Sequence, residues 1–151
     1  MILYLDASAL VKRYVAEFGS AEVGRTIAQA RVVGTALVSR AEVAAALAKA
    51  ARTEVLSEEE ARAAFQVLGS DWPDLVKMQA TETLVARAGE LAWAHGLRGY
   101  EAVHLAAASI WQDVLGEEVT LATFDRRLWE AGKAVGLRAF PAELPAGREH
   151  R

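Results

Sequence analysis

The chain has 151 residues, a formal net charge of -3 and a hydrophobic fraction of 53%. This length and composition indicate one domain with a real core, and they exclude a disordered chain. The absence of cysteine excludes disulfides and thiolate metal sites. It suits a reducing cytoplasm, and no apolar run is long enough to cross a membrane. The mild acidity argues against a broad nucleic-acid-binding surface, so contact with nucleic acid would need local basic residues or bound cations.

The first half of the chain alternates between strand and helix patterns. The opening run MILYLD has no helical period and predicts a buried strand, and SALVKRYV after it predicts a helical turn or two. A helix is expected over SAEVGRTIAQA and a second strand over RVVGTALV. Two further helices are predicted over SRAEVAAALAKAART, which is rich in Ala and Leu, and over SEEEARAAFQVLGSDW, which opens on a serine cap.

The second half continues the alternation. LVKMQ predicts a third strand, TETLVARAGELAWAHG an amphipathic helix, and YEAVHLAAASIWQDVLG a buried helix. EVTLAT and LRAF predict the last two strands, with the helix FDRRLWEAGKAVG between them. We therefore expect an α/β fold, a three-layer α/β/α sandwich with a mostly parallel sheet of about five strands. One domain is expected over residues 1–141, followed by a polar, flexible tail over residues 142–151.

Four acidic residues fall where the carboxyl ends of parallel strands should meet. Asp6 ends the first strand, Glu42 lies in the helix after the second, and Asp125 follows the fourth, while Glu101 opens the buried helix. Functional groups gather at this edge of a parallel sheet. Each acid also has a local explanation. Asp6 and Asp125 could be helix N-caps, Glu42 the capping-box partner of Ser39, and Glu101 a partner of the helix dipole.

The surroundings of Asp6 and Glu101 favour a functional cluster over caps alone. Both acids are flanked by apolar residues, so both are expected near buried surface. Carboxylates that converge in a partly buried site repel one another, and a helix N-terminus supplies only about half a charge. A hard divalent cation would neutralise them, and Mg²⁺ or Mn²⁺ suits oxygen ligands. Such a site can activate water and neutralise a phosphodiester.

Four motifs carry a resemblance to a known family. YLDASALVKRY, SRAEVAAAL, LRGYEAVHLAAA and TFDRRL follow one another in this order and together span nearly the whole chain. They resemble a PIN domain, and they are most similar to the VapC-like toxin ribonucleases. The resemblance implies an endoribonuclease that cleaves single-stranded RNA with Mg²⁺ or Mn²⁺, as the toxin of a type II toxin–antitoxin pair. It also implies an antitoxin protein as partner and a homodimer or higher homo-oligomer.

The same resemblance implies roles for individual residues. Matched motif to motif, the quartet that binds metal and catalyses cleavage is Asp6, Glu42, Glu101 and Asp125. Two hydroxyl residues resemble positions that support the metal site, Ser8 and Thr123. The third acid of the family is usually aspartate, whereas this chain has the longer Glu101.

Other polar and aromatic residues have simpler expectations. His104 lies one helical turn after Glu101, before an Ala-rich run, and is expected to be a buried structural histidine that bonds a backbone group or a carboxylate. Six basic residues near the predicted cleft are candidates for RNA contact, although each alone suits solvated helix surface: Lys12, Arg13, Arg40, Arg98, Arg126 and Arg127. Four tryptophans are expected in the core or at an interface: Trp72, Trp93, Trp111 and Trp129.

A second class of function stays open, a PIN-fold module with weak or no catalysis that acts through RNA or protein contacts. Glu101 carries this alternative. Its extra methylene extends the carboxylate by roughly 1.5 Å, and metal catalysis is sensitive to displacements of that size.

Overall fold

The computed structural model describes residues 1–145, so the predicted tail of residues 142–151 falls largely outside the described residues. Five strands form one sheet in the order β3-β2-β1-β4-β5. The strands are β1 (Ile2–Leu5), β2 (Val32–Ala36), β3 (Val76–Met78), β4 (Val119–Ala122) and β5 (Arg138–Phe140). Each neighbouring pair is parallel. All five predicted strands are confirmed.

Seven α-helices connect and follow the strands within residues 1–145. They are α1 (Ala7–Leu10), α2 (Ser20–Gln29), α3 (Ser39–Arg52), α4 (Glu58–Asp71), α5 (Glu82–His95), α6 (Gly99–Leu115) and α7 (Arg126–Ala134). The helix predicted directly after β1 is divided, because a 3-10 turn over Val11–Arg13 follows α1. The last helix begins later than predicted, because Asp125 adopts an extended backbone and caps it.

Strand β1 lies at the centre of the molecule and contributes to two cores. Ile2 and Tyr4 pack in one core with apolar side chains of α5, α6 and α7. Leu3 and Leu5 pack in the other with apolar side chains of α1, α2, α3 and α4. Successive strand residues point to opposite faces of a sheet, so this division shows helices covering both faces. The three-layer α/β/α sandwich is confirmed.

The tryptophans divide between core and surface. Trp72, Trp111 and Trp129 are buried, whereas Trp93 on α5 is 93% exposed. Trp93 is therefore not a core residue, although its helix is amphipathic as predicted. Within residues 1–145, no helix combines the length and apolar content needed to cross a membrane.

Candidate functional site

The central strands β1 and β4 bring two of the predicted acids to one edge of the sheet. Their register places Leu5 opposite Ala122, the last residue of β4. The Asp6 amide donates to the Ala122 carbonyl at 3.2 Å. The segments that carry Asp6 and Asp125 therefore leave the sheet side by side, at the carboxyl ends of the strands, as the sequence predicts.

Asp6 is a buried carboxylate held by three donors. The residue is only 4% exposed. It accepts hydrogen bonds from Ser8 Oγ at 2.7 Å, from Thr123 Oγ1 at 2.6 Å and from the Ala9 amide at 2.9 Å. Burial raises the pKa of Asp6, while His104 and the three donors act in the opposite direction. The Ala9 contact also caps α1, so the local explanation and the cluster hold together.

Thr123 joins the first and last motifs. Its hydroxyl donates to Asp6 and accepts the Asp125 amide at 3.1 Å. Ser8 acts from the other side, since its Oγ accepts the Phe124 amide at 3.0 Å. The Asp125 carboxylate accepts the Leu128 amide at 2.9 Å and so caps α7. Ser8 and Thr123 thus orient the Asp6 carboxylate and the backbone that leads to Asp125. We call the edge of the sheet that carries these two acids the acidic edge.

Glu101 lies in the first turn of α6, near Asp125. Its Oε2 accepts the backbone amide of Arg98 at 3.0 Å, the contact expected of a helix-capping acid. Desolvation raises the pKa of Glu101, and the Asp125 carboxylate raises it further, against the lowering effect of the Arg98 amide. Two carboxylates that repel each other at a partly buried edge are the electrostatic situation that the sequence predicts.

Glu42 has a different partner from the local one considered for it. The capping box with Ser39 does not form, because Ser39 is already inside α3, Val38 occupies the cap position, and Ser39 Oγ lies 2.7 Å from Thr35 Oγ1. The Glu42 carboxylate instead lies 2.8 Å from His104 Nε2. That local explanation for Glu42 is therefore wrong, and the expectation that His104 bonds a carboxylate agrees with the geometry.

Tyr4 is a polar residue of the site that sequence reasoning missed. Its hydroxyl lies 2.7 Å from His104 Nδ1, deep in the core below the acidic edge. The available signal was a hydroxyl within an apolar strand, which must find a partner when buried. The partner comes from a residue 100 positions away, so no local spacing indicates it.

The family of the chain follows from comparison with known proteins. The model of the PIN domain matches residues 3–134, a range that contains all four acids. The chain belongs to the PIN-domain family. The resemblance seen in its four motifs is confirmed.

Named relatives match this PIN domain over nearly its full length. It is 37% identical over 143 residues to Ribonuclease VapC45 of Mycobacterium tuberculosis (strain CDC 1551 / Oshkosh), which covers 95% of this chain and 97% of that protein. It is 34% identical over 130 residues to Ribonuclease VapC3 of Pyrobaculum aerophilum, which covers 86% and 94%. Among solved structures it resembles VapBC2 from Rickettsia felis bound to a DNA fragment from their promoter. That match has a TM-score of 0.61 and 14% identity over 92% of this chain and 97% of the other, and it shows the fold.

The carboxylates of this PIN domain are ligands that suit a hard cation, although in the structure they accept hydrogen bonds from other groups of the protein. Within residues 1–145, no three acidic or histidine side chains converge closely enough to hold one metal ion. The Glu101 carboxylate, for example, accepts the Arg98 amide of its own helix start. The raised pKa values of Asp6 and Glu101 indicate carboxylates whose charge is poorly compensated. A divalent cation with oxygen ligands would relieve that cost.

The six predicted RNA-contacting residues of the PIN domain fall into two groups. Three are engaged within the chain. Lys12 contacts Glu17 and the Phe18 carbonyl, Arg13 pairs with Asp71, and Arg126 donates to the carbonyls of Leu144 and Pro145. The other three are exposed and form no salt bridge with an acid in residues 1–145: Arg40, Arg98 and Arg127.

Proposed function

We propose that this PIN domain is a divalent-metal-dependent endoribonuclease whose site residues are Asp6, Glu42, Glu101 and Asp125. The observation that carries the proposal is the buried Asp6 carboxylate, oriented by Ser8 and Thr123 at the edge where Asp125 and Glu101 also lie. The names of the ribonuclease relatives supply the reaction class. RNA is therefore the substrate, and hydrolysis of a phosphodiester is the reaction.

The protein residues divide the work between orientation and charge. Three donors prevent rotation of the Asp6 carboxylate, and the Thr123 hydroxyl fixes the start of the segment that carries Asp125. In this proposal Glu101 on α6 and Glu42 on α3 complete the set. Mg²⁺ or Mn²⁺ held by this set would neutralise the phosphodiester and activate water for attack on phosphorus. Exposed Arg40, Arg98 and Arg127 supply the phosphate attraction that the net charge of -3 does not.

The partners are an antitoxin protein and a second copy of the chain. The first follows from the VapC names of the relatives and from the VapBC2 assembly whose fold the chain shares. Fewer tryptophans support self-association than the sequence suggests. Three of the four tryptophans are buried in the chain's own core, which leaves Trp93 as the one that needs cover. Because the proposed toxin acts on cellular RNA, we expect it in the cytoplasm.

The competing function is a PIN-fold module that binds RNA or protein without cleaving. The specific observation in its favour is Glu101, whose carboxylate caps the first turn of α6. A glutamate retained only as a cap would contribute nothing to metal binding.

Calorimetric titration with Mn²⁺ separates the two functions. Saturable binding by the wild type that is lost in Asp6→Asn and weakened in Glu101→Gln supports the nuclease. Asp113→Asn is the matched control, because Asp113 lies on α6, twelve residues beyond Glu101, in an exposed pair with Arg87. The wild type and variants are then assayed on single-stranded RNA for cleavage that leaves a 5′-phosphate. No Mn²⁺ binding by the wild type would instead favour the binding module.

A further inference from the structure

Three side chains form a hydrogen-bonded chain from the core to the partly exposed carboxylate of Glu42. Tyr4 is fully buried and His104 is 3% exposed. The Tyr4 hydroxyl lies 2.7 Å from His104 Nδ1, and His104 Nε2 lies 2.8 Å from Glu42 Oε1. Tyr4 comes from β1, His104 from α6 and Glu42 from α3. Since α6 and α3 cover opposite faces of the sheet, this chain connects the two helical layers around the end of the sheet.

The chemistry of an ionised carboxylate fixes the direction of the hydrogen bond between His104 and Glu42. An ionised carboxylate can only accept, so Nε2 of His104 carries the proton that is donated to Glu42. Nδ1 and the Tyr4 hydroxyl form the second hydrogen bond of the ring. Burial, together with the carboxylates of Asp6 and Glu42, raises the pKa of Tyr4 well above its usual value and keeps this hydroxyl protonated. Both ring nitrogens of His104 therefore have a hydrogen-bond partner.

Glu42 depends on this chain for its orientation. Its other local partner is not available, because the capping box with Ser39 does not form. A glutamate side chain rotates about several bonds, and ordering it costs conformational entropy. His104 holds one carboxylate oxygen, while 25% of the Glu42 side chain remains exposed. The hydrogen bond between Tyr4 and Nδ1 in turn fixes the orientation of the His104 ring.

We propose that His104, held by Tyr4, is the positioning residue that aims the Glu42 carboxylate at the acidic site. This inference rests on the proposed function, in which Glu42 belongs to the metal-binding quartet. Changing a partner that orients a metal-ligating side chain typically weakens metal affinity by about 10- to 100-fold. His104 therefore acts through Glu42 and touches neither substrate nor metal.

The test is a double-mutant cycle between His104 and Glu42, read as the Mn²⁺ dissociation constant by calorimetry on the full chain. His104→Ala is expected to weaken Mn²⁺ binding by about tenfold or more. His104→Gln keeps an amide donor at similar reach and should recover most of that loss. In a Glu42→Ala background, His104→Ala should cause no further change. Tyr4→Phe, which deletes only the hydroxyl, should weaken binding less than His104→Ala does.

A control separates positioning from stability. Val103→Ala, next to His104 on the same helix and packed against the same core, should lower the melting temperature and leave Mn²⁺ affinity unchanged. On an RNA substrate, His104→Gln should retain kcat better than His104→Ala, with KM similar in both.

The outcomes distinguish the two proposals. If the wild type binds Mn²⁺ and His104→Ala binds it equally tightly, the positioning role is overturned and the proposed nuclease function stands. Additive losses from His104→Ala and Glu42→Ala also overturn it, because the histidine would then act by another route. Wild-type protein that binds no Mn²⁺ overturns the proposed function and the positioning role with it.

Discussion

The hydroxyl of Thr123 donates a 2.6 Å hydrogen bond to the carboxylate of Asp6, across 117 residues of sequence. Both groups are buried, and both lie directly after the paired ends of β4 and β1. This contact joins the first and last motifs of the chain and orients the carboxylate on which the candidate site depends.

Removing that hydroxyl should cost stability. Thr123→Val is expected to lower the free energy of unfolding by about 1–3 kcal/mol, because a buried oxygen of Asp6 loses a donor. Chemical denaturation would measure this loss of unfolding free energy, and the dependence of that free energy on denaturant concentration should be unchanged. Thr53→Val is the matched control, since that exposed hydroxyl, directly after α3, donates to the Lys49 carbonyl in the last turn of the helix. The control should change stability by less than about 0.5 kcal/mol. Equal losses in the two variants would contradict the role given to Thr123.

Asp6 should give the metal-free protein an unusual dependence on pH. Burial raises the pKa of Asp6 in the folded state above its ordinary value of 3.8. At a pH between the unfolded-state and the folded-state pKa, the folded state therefore binds more protons than the unfolded state. The free energy of unfolding therefore falls as pH rises through this window. Melting temperatures from about pH 4 to about pH 7 should show this component in the wild type and not in Asp6→Asn.

The sign of the Asp6 effect can be checked against an acid of opposite behaviour. The Ser57 amide and hydroxyl lower the pKa of Glu60, so the stability it contributes is lost as pH falls. Glu60→Gln should therefore flatten the acid limb of the curve, whereas Asp6→Asn should flatten the decline towards neutral pH. A wild-type minus Asp6→Asn difference that grows with pH would count against the burial argument.

Gly34 of β2 should not accept a methyl group. A Cβ at this position would lie 2.7 Å from the Trp111 ring and 3.1 Å from the Met78 methyl. Gly34→Ala is expected to destabilise the protein by about 1–3 kcal/mol through overpacking. Gly69→Ala is the control, because Gly69 lies in α4 with open space around it. That change should stabilise by about 0.5–1 kcal/mol. Thermal unfolding of both variants measures the contrast, and matching signs would refute it.

Arg40 should contribute to RNA binding through charge. Its exposed guanidinium lies 5.7 Å from the centre of the Trp72 ring, at the start of the helix that carries Glu42. In the Asp6→Asn background, Arg40→Gln should reduce the salt slope of single-stranded RNA binding by about 0.7. Arg31→Gln is the control, since Arg31 precedes β2 at the opposite edge of the sheet. Fluorescence anisotropy over a salt series measures both slopes. A larger effect at Arg31 would move the RNA path away from the acidic edge.

Most of the fold was predictable because its signals are local. Apolar runs such as MILYLD and VTLAT lack a helical period, and their alternation with helical segments predicts a parallel sheet covered on both faces. That topology in turn places residues after strand ends, such as Asp6 and Asp125, at one edge. The caps at these two residues were predictable for the same reason, because a cap bonds within its own first turn.

Tertiary structure alone decided the partners of the buried polar groups. Local spacing suggested Ser39 for Glu42, yet the carboxylate bonds His104, and His104 in turn bonds Tyr4. Local rules also left Trp93 open to core or interface, and only the packing of α5 placed it at the surface. The sequence by itself determined which segments become strands and helices, and which acids follow them. A buried hydroxyl or imidazole must be satisfied by whichever group the fold brings near, and that group lies on a distant element that no spacing rule identifies.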